Sequence, residues 1–191
     1  MKKQGGKDMK IVAMVGSNRA DSYNMQLTKF MKERYAGKVD IDILPIDQLP
    51  FYNQDEEMNP PEIVKEIRAK IKGSDGILFA TPEYNASISG MMKNAIDWLS
   101  RVDTVMVGKP AMIVGASMGA LGTVKAQMQL RQILNAPGVG TLTLPGNEVY
   151  VGSVHEKFDN EGNLTDESTV QFIDSVVKNF MNWAENAKVY S

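Results

Sequence analysis

Cysteine is absent from the 191-residue chain, and histidine occurs once, at position 155. The first absence excludes disulfide staples, thiolate zinc sites and any cysteine nucleophile, and it is compatible with a reducing compartment. Redox chemistry in such a chain needs a bound cofactor. No apolar run approaches the roughly 18 to 20 residues that cross a bilayer. The opening segment MKKQGGKDMK leads into a short apolar stretch with no signal-peptide cleavage pattern behind it. Neither sign of charge is in excess: 21 Lys and Arg stand against 23 Asp and Glu, so no summed positive field exists to hold nucleic acid or an anionic membrane. Small-molecule partners and a cytoplasmic location are the expectation. His155 lies in a polar late segment and reads as a surface residue rather than a catalytic one.

What is present is enough apolar material, 43% of residues, for one substantial core. The expectation is a loose lead-in over residues 1–9 and a single domain over residues 10–190. From Lys10 onward, short apolar runs alternate with longer segments of helical period, as in a parallel sheet covered on both faces. Five strands are read, at 10–16, 39–46, 76–82, 109–117 and 139–144. Ser22 can cap a first helix carrying Tyr23, Leu27, Phe30, Met31 and Tyr35 on one side. Pro61 opens a second, with Ile63, Val64, Ile67 and Ile71 inward and Gly73 just past its end. Ser87 or Ser89 caps a third, reaching about Arg101, with Met92, Ala95, Ile96 and Leu99 buried and with Trp98 and Arg101 facing a partner subunit. A fourth runs from about Leu121 to Leu134. The last runs from about Asp166 to Lys188, capped by Thr165.

In an open α/β sheet, ligands bind beyond the carboxyl ends of the strands, where the strand order reverses. For the order 2-1-3-4-5 that point lies between strands one and three. The loops that follow those strands are GSNRADSYN, 16–24, and TPEYNASISG, 81–90. In the first, Ser17, Ser22 and Asn24 offer side-chain donors, Arg19 a planar cation, and the helix start a cluster of free backbone N–H groups, a set that suits a terminal phosphate. Taken singly, Ser22 is as well explained as a helix cap and Arg19 as a solvated surface residue. Their coincidence at the end of strand one favours the phosphate reading. Nucleotide motifs of the same layout are absent: Asn18 and Asp21 stand where GxGxxG needs glycines, and Asp21 also defeats GxxxxGK[ST].

Three blocks carry a resemblance: G-S-N-R-A-D-S-Y-N after strand one, T-P-E-Y-N-A-S-I-S-G-M-M-K-N-A-I-D-W-L-S-R across strand three and its helix, and S-M-G-A-L-G after strand four. From Lys10 to the last helix the chain resembles the NADPH-dependent FMN reductases of the chromate, quinone and azo reductase type. The resemblance implies a flavodoxin-like three-layer sandwich, a five-stranded parallel sheet of order 2-1-3-4-5 with helices on both faces. It implies FMN as cofactor and NADPH or NADH as co-substrate. Two electrons would pass by a ping-pong mechanism to quinones, flavin, azo compounds or chromate-type oxyanions.

Carried over residue by residue, the resemblance makes Ser17, Arg19, Ser22 and Asn24 the FMN phosphate cradle. Pro82, Glu83, Tyr84 and Asn85 become the wall along the isoalloxazine ring, and Ser117 and Gly119 close its other edge. Tyr84 reads equally as a half-buried packing aromatic, and Met118 as core filler or as a neighbour of the ring. Arg19 or Lys125 is available to a 2′-phosphate. A homodimer or homotetramer is implied. The chain departs from the family pattern at Ser89, where a proline usually precedes Gly90, and at Thr123, where a second glycine is common after Gly122. Two rival readings are a flavodoxin-like electron carrier and a flavin-responsive regulatory protein without significant NAD(P)H turnover.

Overall fold

The structure, a computed structural model, describes residues 8–187. Most of the expected lead-in, residues 1–7, and the expected ends at 188 and 190 lie outside the described residues, and Met9 already belongs to the first strand. In chain order the elements are β1 (Met9–Val15), α1 (Tyr23–Arg34), β2 (Val39–Ile43), α2 (Glu62–Lys72), β3 (Gly76–Ala80), α3 (Gly90–Leu99), β4 (Pro110–Ala116), α4 (Val124–Leu134), β5 (Leu142–Thr143), β6 (Val149–Val151) and α5 (Glu167–Ala187). The strands run in the order β2-β1-β3-β4-β5, all pairs parallel, with β6 also pairing β4.

Strands β1, β3 and β4 are near-continuous apolar runs because both of their faces are covered. Along β1, Ile11, Ala13 and Val15 point into one core with Leu27 and Met31 of α1 and Ile173, Val176 and Phe180 of α5. Val12 and Met14 point into the other, with residues such as Ile67 of α2, Met92 of α3 and Leu130 of α4. This period-two division is what makes three layers out of one sheet. At the far end of α1, Arg34 grips Asp174 of α5 through two 2.7 Å bonds and the Tyr35 hydroxyl donates to the same carboxylate at 2.8 Å. The Arg34 guanidinium holds the Asp174 carboxyl below its ordinary range, while burial pushes the Tyr35 phenol up.

The structure departs from the sequence reading at four places. The fifth strand is broken. Leu142–Thr143 pairs with Pro110–Ala111, and after Pro145, Gly146 and Asn147 the chain returns as β6 against Val114–Ala116. Pro145 has no ladder donor, and Gly146 and Asn147 take φ of +61° and +52°, so the edge cannot continue unbroken. Helix α4 starts at Val124 rather than near Leu121, since Gly122 at φ +62° and the inward-turned Thr123 precede it. Helix α5 is capped by Asp166, whose Oδ2 accepts from the Thr169 amide at 2.7 Å, while the Thr165 hydroxyl donates to the Lys157 carbonyl. Trp98 is fully buried and so does not face a partner: its Nε1 donates to the Pro50 carbonyl at 2.9 Å and its ring meets Tyr52 edge-on.

Among the described glycines, Gly115 in β4 has the least room for a side chain. A Cβ there would stand 1.7 Å from Thr123 Oγ1 and 2.8 Å from the Thr81 carbonyl oxygen. Gly115→Ala is therefore expected to destabilise the protein by about 1–3 kcal/mol, lowering Tm by roughly 2–4 °C per kcal/mol. Scanning calorimetry reads this directly, and an unchanged Tm would mean that the start of α4 does not pack on β4 as described.

Candidate functional site

The loops after β1 and β3 leave the sheet side by side. Val15 pairs with Ala80, the Gly16 amide donates to the Ala80 carbonyl at 2.8 Å, and a Cβ on Gly16 would reach Pro82 Cδ at 3.0 Å. Together with the loop after β4 they wall a cleft of about 390 Å³. Of the positions singled out in the sequence, Ser17, Arg19, Ser22, Asn24, Pro82, Glu83, Tyr84 and Ser117 line it; Asn85 and Gly119 do not. Tyr23, Ala116 and Met118 complete the lining. A larger hollow between α1 and α5, about 580 Å³, is lined by Arg34, Lys38, Asp174 and Lys178 and is not fed by these loops.

In the first loop, Ser22 caps α1 by accepting from the Met25 amide at 3.3 Å. The amides of Tyr23 and Asn24 lie in the first helical turn, where no intrahelical acceptor exists, and among the described residues those of Asn18, Ala20 and Asp21 also meet none. Arg19 folds back: its guanidinium donates to the Asp21 carbonyl and lies 5.2 Å from the centre of the Tyr23 ring. The Asn24 side chain is spent elsewhere. Its Nδ2 donates to the Ala116 carbonyl at 3.1 Å and its Oδ1 accepts from the Ala116 amide at 2.9 Å, so what Asn24 can offer the cleft is its backbone N–H.

The second loop turns back on itself at Tyr84–Ser87, with reciprocal 3.0 Å amide-to-carbonyl bonds between those two residues. Asn85 and Ala86 both have positive φ, +52° and +61°, which makes this a type I′ turn. Tyr84 is left half exposed on the cleft wall. Glu83 turns its carboxylate away, onto the start of α4. Met118, also half exposed, lines the cleft from the loop after β4, which is held from behind by the unforeseen β6. The Ser117 amide donates to the Val151 carbonyl at 2.9 Å, and the Val154 and Ser153 amides donate to Ser117 and Gly119 carbonyls. The run Val149-Tyr150-Val151 carried a strand signal of its own, β-branched and aromatic in alternation. Tyr23 was legible only as a helix-face aromatic.

Both departures from the family pattern are structurally compensated. Ser89 caps α3, accepting from the Met92 amide at 3.1 Å, and Thr123 fills the space that Gly115 leaves while accepting from Gln127 Nε2. Alanine is a costly residue at φ +61°, where an L side chain loses about 1–2 kcal/mol. Ala86→Gly is expected to raise stability by about 0.5–1 kcal/mol after the added chain entropy of glycine is subtracted. Calorimetry would show a Tm roughly 1–4 °C higher; a lower Tm would argue against the I′ turn.

Residues 9–156 match the family described as NADPH-dependent FMN reductase. The NADH-dependent flavin reductase subunit 2 of Lactobacillus johnsonii is 40% identical, over 94% of this chain and all of its own length. A 2-hydroxy-1,4-benzoquinone reductase of a Burkholderia species is 34% identical over 95% of this chain and 99% of its own. Among solved structures, FerB of Paracoccus denitrificans, a flavoenzyme NAD(P)H:acceptor oxidoreductase, superposes with a TM-score of 0.85 at 38% identity, covering 94% of this chain and 98% of that one. The strand order, the cleft at its reversal and these full-length matches agree: the chain belongs to the NADPH-dependent FMN reductase family and is an FMN-dependent NAD(P)H oxidoreductase.

Proposed function

We propose that the cleft holds FMN with its phosphate end in the loop 16–24 and its ring along Pro82, Glu83 and Tyr84, with Met118 opposite, and that NAD(P)H and the electron acceptor use the ring's open face in turn. The observation that carries this reading is the meeting, at one switch point, of an acceptor-free helix start with a slot flanked by Tyr84 and Met118. The residues fit the cofactor. The amides of Asn18, Ala20, Asp21, Tyr23 and Asn24, which meet no acceptor among the described residues, the Ser17 and Ser22 hydroxyls and the nearby Arg19 would make an anion site of the kind that helix N-termini provide. A cleft of this volume is within the range of small-ligand sites, about 300–1,000 Å³.

When bound, FMN supplies the two-electron chemistry between nicotinamide and acceptor. The chain's own contribution is orientation and charge. The amides of Glu83, Asn85 and Ala86 meet no acceptor among the described residues and are available to negative charge at the ring's edge. Arg19 and Glu83, the charged side chains in the lining, are both engaged with backbone, and hydride transfer by the flavin requires no general acid or base from the chain. An open slot between an aromatic and a thioether suits planar acceptors such as quinones, free flavin and azo compounds, and its open mouth admits chromate-type oxyanions. The homodimer or homotetramer that the resemblance implies would have apolar side chains to cover, since Phe51 is 91% exposed, Leu121 72% and Met128 64%. The absence of cysteine and the use of NAD(P)H support a reducing, cytoplasmic setting.

The protein loaded with FMN and mixed anaerobically with NADPH or NADH should lose its flavin absorbance band, and a naphthoquinone should restore it. Ser22→Asp tests the cradle. Aspartate still caps a helix but sets a carboxylate where the phosphate would lie. We expect FMN affinity to fall tenfold or more, about 1.4 kcal/mol, with riboflavin binding little changed. Equal loss for both flavins, or for neither, would move the phosphate elsewhere.

A further inference from the structure

The family resemblance puts Glu83 in the wall along the ring, yet its side chain does something else. Glu83 Oε2 accepts from the backbone amides of Lys125 and Ala126, at 2.9 and 3.2 Å, across 42 and 43 residues of chain. These amides lie in the first turn of α4, a helix whose own N-cap residue, Thr123, makes no capping bond. Thr123 cannot serve, because its side chain is wholly buried over Gly115 with its oxygen accepting from Gln127. The job passes to a carboxylate from another loop, a favourable partner for a helix N-terminus.

A second tie follows on α4, where Ser87 Oγ meets Gln129 Oε1 at 2.5 Å. Between the two ties sits the rigid Tyr84–Ser87 turn. The loop carrying Tyr84 is thus strapped along α4. The loop carrying Met118 runs directly into that helix's first turn at Val124. The two walls of the cleft, each on its own loop, are joined through α4, and Glu83 makes the tie nearest to both.

We infer that Glu83 is a positioning residue: seated on the start of α4, it fixes the gap between Tyr84 and Met118 and so governs how the slot grips the flavin ring and admits a planar acceptor. This rests on the reading that FMN occupies the cleft. Because the carboxylate is turned onto the helix, the effect runs through the walls and needs only an acceptor oxygen at this position. Glutamine keeps such an oxygen; alanine removes it.

The test compares Glu83→Ala and Glu83→Gln as FMN-loaded proteins, with menadione as acceptor and Tm recorded for each. For Glu83→Ala we expect FMN dissociation to rise about threefold to tenfold, an altered visible flavin band, and KM for menadione raised about fivefold or more with kcat reduced less than twofold. Glu83→Gln should recover most of each loss. If Glu83→Ala changes Tm alone, leaving flavin band, FMN affinity and KM as in the parent, Glu83 merely caps a helix and the inference is overturned. A Glu83→Gln protein as impaired as the alanine variant also overturns it, since charge rather than position would then matter. Should Glu83→Ala fail to hold FMN at all, the glutamine variant still decides between these outcomes. Ser22→Asp, measured alongside, separates the two levels: indifference there to FMN faults the cleft reading, whereas a sensitive Ser22→Asp beside an indifferent Glu83→Ala removes the strap alone.

Discussion

The register between β1 and β3 is the constraint on which the rest depends. Val15 opposes Ala80, and the Gly16 amide extends the ladder by one further bond to the Ala80 carbonyl. Beyond this point the two chains must part, because α1 belongs to one covering layer and α3 to the other. Parallel strands feeding helices on opposite faces leave a crevice between their loops, and no side chain has to be sacrificed to make it. The absence of a side chain at Gly16 lets Pro82 close in, so the crevice has a floor as well as walls.

The central sheet was legible because its strands are buried on both faces. Runs such as KIVAMV and GILFA have no alternation to misread, and the helices between them carry apolar residues at helical spacing. The edge was less legible for the same physical reason in reverse. A strand with one neighbour needs few residues to pair, so the interruption at Pro145 to Asn147 costs it little, and β6 could return to the same partner strand further along. Trp98 was misread as interfacial because nothing local reveals its bond to Pro50, 48 residues earlier.

The cleft was legible as a set of positions and not as a set of bonds. Loop composition located Ser17, Arg19, Ser22 and Asn24 on its lining, and the family resemblance added Pro82, Glu83, Tyr84 and Ser117. What each side chain does there is decided by partners distant in sequence, which composition does not encode. Asn24 and Ser22 look alike in a polar loop, yet one is committed to β4 and the other to its own helix. Ser89 and Thr123 show the complementary case: residues unusual for the family pattern still fit, because capping chemistry and a neighbouring glycine accommodate them.

The paired bonds between the Asn24 amide and the Ala116 backbone span 92 residues. Until β4 has docked, the start of α1 packs on the sheet without this polar tie, and contacts of such separation form late because the loop they close is long. The order of events during synthesis follows. The turn proposed to hold the phosphate emerges early from the ribosome, but it acquires its Asn24 anchor only after Ala116 has followed it out. On the proposed placement of FMN, capture of the cofactor is coupled to near-completion of the sheet, since a nascent or truncated chain holding only the first three strands presents the loop without its Asn24 anchor.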